Sequence, residues 1–276
     1  MKARALRVAL AGLGAVNLPV ADVLLKGGIP GMTLTAVSAS SPTSAQSKLA
    51  ELDAETAAVS CVPVEELARH ADVVVEGLPP SLFLAIAEPT LRSGKTLIAL
   101  SVTQVLLNPA LERLAAEHDG RIIVPTGALC GLDAVRAAAE GGNIQSVVMQ
   151  TRKPPASLQK SPFVVDQGLD LSTLTEARRL YAGSVRDAAA QFPANVNVAV
   201  AVALAGIGAD RTQYELWADP QVTRNTHTFS VESKESNFQV SVAGVPTATN
   251  PATGALTPLS AIATLRGLVA PLRVGT

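Results

Sequence analysis

The sequence predicts an α/β protein of two domains: a doubly wound parallel sheet, followed by an α+β domain with a mainly antiparallel sheet. The chain has 276 residues, which is more than one compact core usually holds. It is 48% hydrophobic and only 3% aromatic, so small aliphatic side chains must fill the core, as suits helices packed on a parallel sheet. Short apolar runs alternate with helical patterns in the first half, whereas later strands alternate apolar and polar residues.

In the first half, each element follows from its hydrophobic period and the turn residues around it. Buried strands are predicted at 6–10, 32–38, 58–61, 73–76, 96–100 and 122–125. Helices are predicted at 18–25, 44–52, 64–69, 82–91 and 109–116. This alternation indicates a parallel sheet with helices on both faces.

After residue 126 the regular alternation of apolar strands and helical segments ends, and the second domain is predicted to begin there. The patterns predict a helix at 132–140, an exposed strand at 146–153, one or two helices within 172–192 and a buried helix at 195–208. Strands at 213–218, 226–233 and 238–242 alternate as in an antiparallel sheet, and a last helix at 259–269 is expected to pack on the first domain. The predicted domains are therefore 1–126 with 256–276, and 127–255.

Composition argues against several classes of protein. A formal net charge of -1 without a Lys/Arg run disfavours a nucleic-acid partner. The longest later apolar stretch, 198–208, is shorter than the roughly 20 residues of a membrane span, and Gly12 and Gly14 favour a strand and turn over a signal peptide at the start. Cys61 and Cys130 lack metal-ligand spacing, so we expect no metal site and a reducing cytoplasm.

A glycine turn follows the first predicted strand. Its sequence, Gly12-Leu13-Gly14-Ala15-Val16-Asn17, is GxGxxN, close to the GxGxxG of the Rossmann dinucleotide-binding fold. Gly12 permits a tight turn, and Gly14, Ala15 and Val16 begin the helix whose free N–H groups would hold a pyrophosphate. Asn17 implies a wider helix–strand separation or a side chain turned towards the ligand. The alternative is a purely structural glycine turn.

The end of the second strand bears on the choice of cofactor. The acidic residue that binds the ribose 2′-hydroxyl of NAD, expected roughly 20 residues after the glycines, is absent. Ser38 and the hydroxyls of the following loop stand there instead, with no arginine beside them. Hydroxyls accept a bare ribose or a 2′-phosphate, so the cofactor is predicted to be NAD or NADP.

Downstream motifs carry a family resemblance. They are Thr126-Gly127-Ala128-Leu129-Cys130-Gly131, Thr151-Arg152-Lys153-Pro154-Pro155, Phe192 to Ala199, and Ala218 to His227 with its Asp-Pro and Asn-Thr-His steps. At these residues the chain resembles the L-aspartate dehydrogenase family, from the nucleotide turn to the closing helix. Family members usually carry glycine where Asn17, Thr103 and Cys130 stand here.

The resemblance implies oxidation of L-aspartate to iminoaspartate, which hydrolyses to oxaloacetate and ammonia, in amino-acid metabolism and NAD biosynthesis. It implies that His227 is catalytic and that Ala128 and Asn197 contact the cofactor. A histidine suits the proton transfer that accompanies hydride loss from Cα. The alternative for His227 is a structural histidine on a strand.

A dicarboxylate substrate also requires cations, and Arg152, Lys153 and Arg224 lie in or beside the matching motifs. Each is a candidate substrate ligand, with a solvated surface charge as its alternative. Asp219 is interpreted as a turn former, Asn195 as a possible helix cap and Cys130 as a small buried filler.

Two other functions compete with an aspartate dehydrogenase. A dehydrogenase of another amino or imino acid would keep His227 and the glycine turn but use different carboxylate partners. A non-catalytic NAD(P)-binding sensor would fit the missing acidic residue and the substituted glycines. We expect a homodimer or higher homo-oligomer formed through the second-domain sheet, since an open sheet face favours association.

Overall fold

The computed structural model describes residues 4–52, 58–159, 161–192, 196–247, 250 and 253–275. These residues divide into two compact units. The first unit lies within 1–127 and 257–276, and the second within 128–256. Each unit has its own sheet.

Over the described residues, the first unit contains a six-stranded sheet in the order β3-β2-β1-β4-β5-β6. Its strands are β1 (Leu6–Ala11), β2 (Met32–Ser38), β3 (Ser60–Cys61), β4 (Val73–Glu76), β5 (Thr96–Ala99) and β6 (Arg121–Ile123). Every neighbouring pair is parallel. This is the strand order of a doubly wound dinucleotide-binding fold, and it confirms the predicted fold class.

Helices cover both faces of this sheet. They are α1 (Asn17–Leu25), α2 (Pro42–Leu52), α3 (Leu67–His70), α4 (Phe83–Arg92), α5 (Val102–Leu107), α6 (Ala110–Glu117) and α12 (Leu256–Val269). Alternate residues of β1 enter different cores: Val8 and Leu10 join the cluster that contains α1 and Leu265 of α12, and Ala9 joins the cluster around Phe83. Burial on both faces explains why these strands are continuously apolar in sequence.

The second unit has a mixed, mainly antiparallel sheet, with the order β11-β10-β7-β9-β8 over the described residues. Its strands are β7 (Ile144–Lys153), β8 (Arg178–Ser184), β9 (Gln213–Ala218), β10 (Thr226–Ser233) and β11 (Asn237–Ala243). Its helices are α7 (Leu132–Glu140), α8 (Pro155–Leu158), α9 (Pro162–Asp166), α10 (Val185–Gln191) and α11 (Asn197–Ala205). Only the β7–β9 pair of these neighbours is parallel.

One prediction about this unit is wrong and another is incomplete. The segment predicted as an exposed strand is β7, a central strand paired with β10 and β9. The segment 172–192 holds one of the one or two predicted helices, α10, but it also holds a strand that was not predicted, β8. Its charged and small residues show no strand period because β8 lies at the sheet edge and its side chains are half-buried or exposed.

The buried helix predicted at 195–208 is α11, and Ala199 to Ala203 are its buried residues. Residue 195, proposed as a helix cap, lies outside the described residues. Within the described part of the chain, no helix is both long and apolar enough to cross a membrane.

Candidate functional site

The glycine turn joins β1 to α1 at the carboxyl edge of the first sheet. Gly12 has φ +86°, and a β-carbon there would lie 2.8 Å from Leu78 Cδ2, so only glycine fits. A β-carbon at Gly14 would meet nothing within 4 Å, which leaves open space above the start of the helix. Ala15 and Val16 are half-buried beside it. This geometry fits a pyrophosphate held by the first N–H groups of α1.

One of the two alternatives for Asn17, a side chain turned towards the ligand, is wrong. The Asn17 side chain is 1% exposed, and its amide donates to the Ala11 carbonyl at 3.0 Å. The Asn17 side chain fits there because Gly77 has no side chain: a β-carbon at Gly77 would lie 2.7 Å from Asn17 Nδ2. The residue at the third glycine position of the fingerprint is therefore part of the protein interior.

Ser38 ends β2 next to the turn, and its carbonyl accepts a hydrogen bond from the Gly12 amide at 2.8 Å. Sequence reasoning found no cation here, but the fold supplies one. Lys48, on α2, donates from Nζ to the Leu13 carbonyl at 3.0 Å. A positive charge thus lies against the glycine turn, and it comes from the helix that follows the end of β2, where the adenosine ribose binds in this fold.

A buried carboxylate that the sequence analysis missed joins β4 to β5 at the same edge. Glu76 is fully buried and accepts from the Ser101 amide at 2.8 Å, the Ser101 hydroxyl at 3.0 Å and the Leu100 amide at 3.1 Å. Burial raises the pKa of Glu76, while these hydrogen bonds lower it. Glu76 fixes the loops after both strands.

In the second unit, His227 lies on β10 directly opposite Thr151 of β7. His227 is 8% exposed, and its Nδ1 lies 3.0 Å from the Thr151 hydroxyl. Burial, and then the positive charge of Lys153, lower the pKa of His227 to about 4. The imidazole is therefore neutral at physiological pH and able to take up a proton.

The predicted cations separate by face of the sheet. Lys153 follows Thr151 by two residues, so it shares the face of His227, and burial lowers its pKa. Arg152 lies on the opposite face, where it binds Asp219 at 2.9 Å and stacks on Trp217 at 4.8 Å. Of these two residues, the structure brings only Lys153 to the histidine.

The remaining predicted residues of this unit lie at the ends of elements. Arg224 is exposed, two residues before β10, and Asn197 is the first residue of α11. Ala128 is half-buried, before α7. Asp219 does more than form a turn: it binds Arg152, and its Oδ1 also accepts from the Gln221 amide at 2.9 Å. Cys130, predicted to be a buried filler, is exposed because it lies in the turn before α7.

Comparison with known proteins identifies the family. The family model described as "Aspartate dehydrogenase, C-terminal" matches residues 133–268. The L-aspartate dehydrogenase 3 of Bordetella bronchiseptica is 49% identical over 98% of both chains. The chain belongs to the L-aspartate dehydrogenase family. The L-aspartate dehydrogenase of Bradyrhizobium diazoefficiens is 47% identical, over 98% of this chain and 94% of its own.

Solved structures agree on the fold. The aspartate dehydrogenase of Thermotoga maritima has a TM-score of 0.71 and 22% sequence identity, covering 98% of this chain and 99% of its own. The scyllo-inositol dehydrogenase of Lactobacillus casei, solved with NAD(H) and scyllo-inositol, has a TM-score of 0.55 and 14% identity, covering 99% of this chain and 91% of its own. At such identities the likeness concerns the fold alone.

For this member of the aspartate dehydrogenase family, sequence reasoning missed Lys48, Glu76 and Thr151 as functional candidates. The Glu76 signal was present, because an acidic residue ending an apolar strand is unusual. Lys48 had no signal, since its contact with the glycine turn depends on how α2 packs. Thr151 became visible only through the pairing register of β7 and β10.

Proposed function

We propose that this chain is an NAD(P)-dependent L-aspartate dehydrogenase. In the balanced reaction, L-aspartate, NAD(P)⁺ and water give oxaloacetate, ammonium, NAD(P)H and a proton, through iminoaspartate. When bound, the nicotinamide accepts the hydride from Cα. The proposal rests chiefly on His227, a buried neutral imidazole beside Lys153 in a chain 49% identical to a curated member of the family.

His227 is the proposed catalytic residue. Its Nδ1 is held by Thr151, so Nε2 is the ring nitrogen that remains for the substrate. A neutral Nε2 can take the proton that the substrate nitrogen must lose before hydride transfer, and can return one in the reverse direction. The same nitrogen can activate the water that attacks the imine.

Lys153 is the proposed partner of a substrate carboxylate. It lies on the His227 face of the sheet, and its charge already bears on the histidine. A bound carboxylate would cancel that charge and raise the pKa of His227 towards neutrality, where an acid–base group works best. Arg224 remains a candidate for the second carboxylate. Arg152 is the weakest candidate because Asp219 and Trp217 already engage it.

The open space at the glycine turn supports placing the cofactor there. Gly12, Gly14, Ala15 and Val16 would hold the pyrophosphate, and Ser38 would lie beside the adenosine ribose. Ala128 and Asn197 are proposed to contact the cofactor through family resemblance. Lys48 adds a positive charge next to a site without a carboxylate at the end of β2, which favours a 2′-phosphate and so supports use of NADP as well as NAD.

The decisive experiment follows reduced-nicotinamide absorbance with oxaloacetate, ammonium and either NADH or NADPH. We expect oxidation by the wild type, at least 100-fold slower turnover by His227→Ala, and unchanged turnover by His118→Ala, which alters an exposed histidine. Turnover only with other oxo acids would instead indicate a related amino-acid dehydrogenase. Cofactor binding without turnover on any of them would indicate a sensor.

We also propose a homo-oligomer in the cytoplasm. On the second sheet, the face opposite His227 carries Trp217 between the half-exposed Arg152 and Arg179, and aromatic and arginine residues are enriched at protein interfaces. Cys61 and Cys130 are both free thiols, as suits a reducing compartment. Light scattering should give a multiple of 28.3 kDa for the wild type and a lower mass for Trp217→Glu.

A further inference from the structure

A third buried polar side chain stands beside the His227–Thr151 pair. Tyr214 of β9 is 1% exposed, and its hydroxyl makes no hydrogen bond with any described residue. Tyr214 pairs with Met149 on β7, so Thr151, two residues further along β7, lies on the same face of the sheet as Tyr214. Buried hydroxyls are rarely left without a partner, so a role for this one is expected.

Thr151 is the link between the histidine and the tyrosine. It is fully buried, and its hydroxyl lies 3.0 Å from His227 Nδ1. Burial raises the pKa of Tyr214 to about 12, and the nearby Thr151 hydroxyl lowers it in part, which places the two hydroxyls close together although they do not meet at hydrogen-bond geometry. Threonine can accept one hydrogen bond while donating another, which valine of the same shape cannot do.

The direction of these hydrogen bonds decides what His227 can do. A neutral imidazole carries one proton, on Nδ1 or on Nε2, and the partner of the other nitrogen selects between them. If the proton is on Nδ1, it is donated to Thr151 and the Nε2 lone pair is free to act as a base. If Thr151 instead donates to Nδ1, the ring proton is on Nε2, and Nε2 acts only as a donor.

We propose that Thr151 is a positioning residue, which accepts the Nδ1–H of His227, turns its own hydrogen towards the Tyr214 oxygen and leaves the Nε2 lone pair for the substrate. This inference rests on the proposed function, because the choice of direction follows from the need for a base. Thr151 does not touch the substrate in this role. It acts by fixing the orientation and tautomer of the imidazole.

The tautomer can be observed without turnover. The chain has only three histidines, so nitrogen-15 spectra of the ligand-free full-length protein resolve each ring, and the His227→Ala variant assigns the signal. The proposal predicts a protonated Nδ1 on His227 in the wild type and in Thr151→Ser. It predicts a shift towards a protonated Nε2 in Thr151→Val. A protonated Nε2 in the wild type would overturn the proposal, whatever the enzyme turns over.

Kinetics supply the second readout. Thr151→Val should lower kcat about 100-fold with little change in the KM of L-aspartate, and Thr151→Ser should recover it to within about threefold. Tyr214→Phe should give a smaller loss. Thr228→Val is the matched control, because it removes a hydroxyl that faces Ser241 on the opposite face of the sheet. Equal losses in Thr151→Val and Thr151→Ser would contradict a role for the hydroxyl.

The two proposals fail in different ways. A wild type that does not oxidise L-aspartate, yet shows the Nδ1 proton and its loss in Thr151→Val, would refute the function and retain the positioning role. An active wild type in which His227 carries its proton on Nε2 would support the proposed function and refute the positioning role of Thr151.

Discussion

The amide of Asn17 fills the space that a β-carbon at Gly77 would need, since the two would lie 2.7 Å apart. Gly77→Ala should therefore destabilise the protein by about 1–3 kcal/mol through overpacking. In an Asn17→Ala background the same substitution should cost much less. A double-mutant cycle of thermal unfolding measures this coupling, and additive losses would show that the two residues are independent.

Lys48→Ala should weaken NADPH binding about tenfold or more, because a charge-assisted hydrogen bond to the 2′-phosphate is lost. NADH binding should change less than threefold. Titration calorimetry with 2′,5′-ADP and 5′-AMP isolates the phosphate from catalysis. Lys26→Ala is the control, since Lys26 pairs with Asp22 on α1. An equal loss for both nucleotides would instead indicate a general effect of charge on the glycine turn.

Lys153→Met and Arg152→Met should behave differently, although the residues are adjacent. The loss of Lys153 should raise the KM of L-aspartate at least tenfold and, by removing a positive charge, raise the pKa of His227 in the free enzyme. The acid limb of the kcat/KM profile should then move to higher pH. Arg152→Met should leave KM within about threefold, and a larger KM effect there would reverse the proposed assignment.

Acid should destabilise the fold through His227. The pKa of His227 is about 4 in the folded chain and about 6.5 in the unfolded chain. Above pH 6.5 the ring is neutral in both states, so the histidine does not reduce the free energy of unfolding there. As pH falls from 6.5 to 4, the unfolded chain binds a proton that the folded chain excludes, which costs about 3 kcal/mol. His227→Gln should remove this part of the acid sensitivity in thermal unfolding between pH 7.5 and 4.5, whereas His118→Gln should not.

Glu76→Gln should lower the free energy of unfolding by about 1–3 kcal/mol, because an amide NH₂ would face donors that now bind a carboxylate. We expect weaker cofactor binding as well, since Leu78 and Ser101 follow the strands at the edge of the nucleotide site. Glu88→Gln changes a half-exposed carboxylate that lies 3.8 Å from Arg92 and should be neutral. Denaturant unfolding distinguishes the two variants.

The sequence predicted the first unit well because its strands are buried on both faces, so apolar runs and glycine turns mark them directly. The edge strand β8 was missed because its half-exposed residues carry no such pattern. For the site, the sequence already predicted the strand that is β7, and side chains alternate between the two faces along a strand. A strand at 146–153 must place Arg152 and Lys153 on opposite faces, and that rule alone could have separated them.

Other parts of the site depend on packing that no local pattern records. The Lys48 contact with Leu13 joins residues 35 positions apart, and the Thr151–His227 pair joins residues 76 apart. Asn17 was misassigned because the fingerprint gives the residue but not the matching glycine at Gly77, which makes room for it. Compensation between distant positions is invisible in a motif.

The central position of β7 also matters to protein engineers. Its backbone is paired with β10 and β9 at Thr151 and with β9 at Lys153, so these two residues cannot shift to suit a new substrate as loop residues can. Redesign for a longer or uncharged amino acid must therefore work by exchanging side chains on a fixed frame. Inserting or deleting one residue in this strand would exchange its two faces and remove the lysine and the threonine from the histidine together.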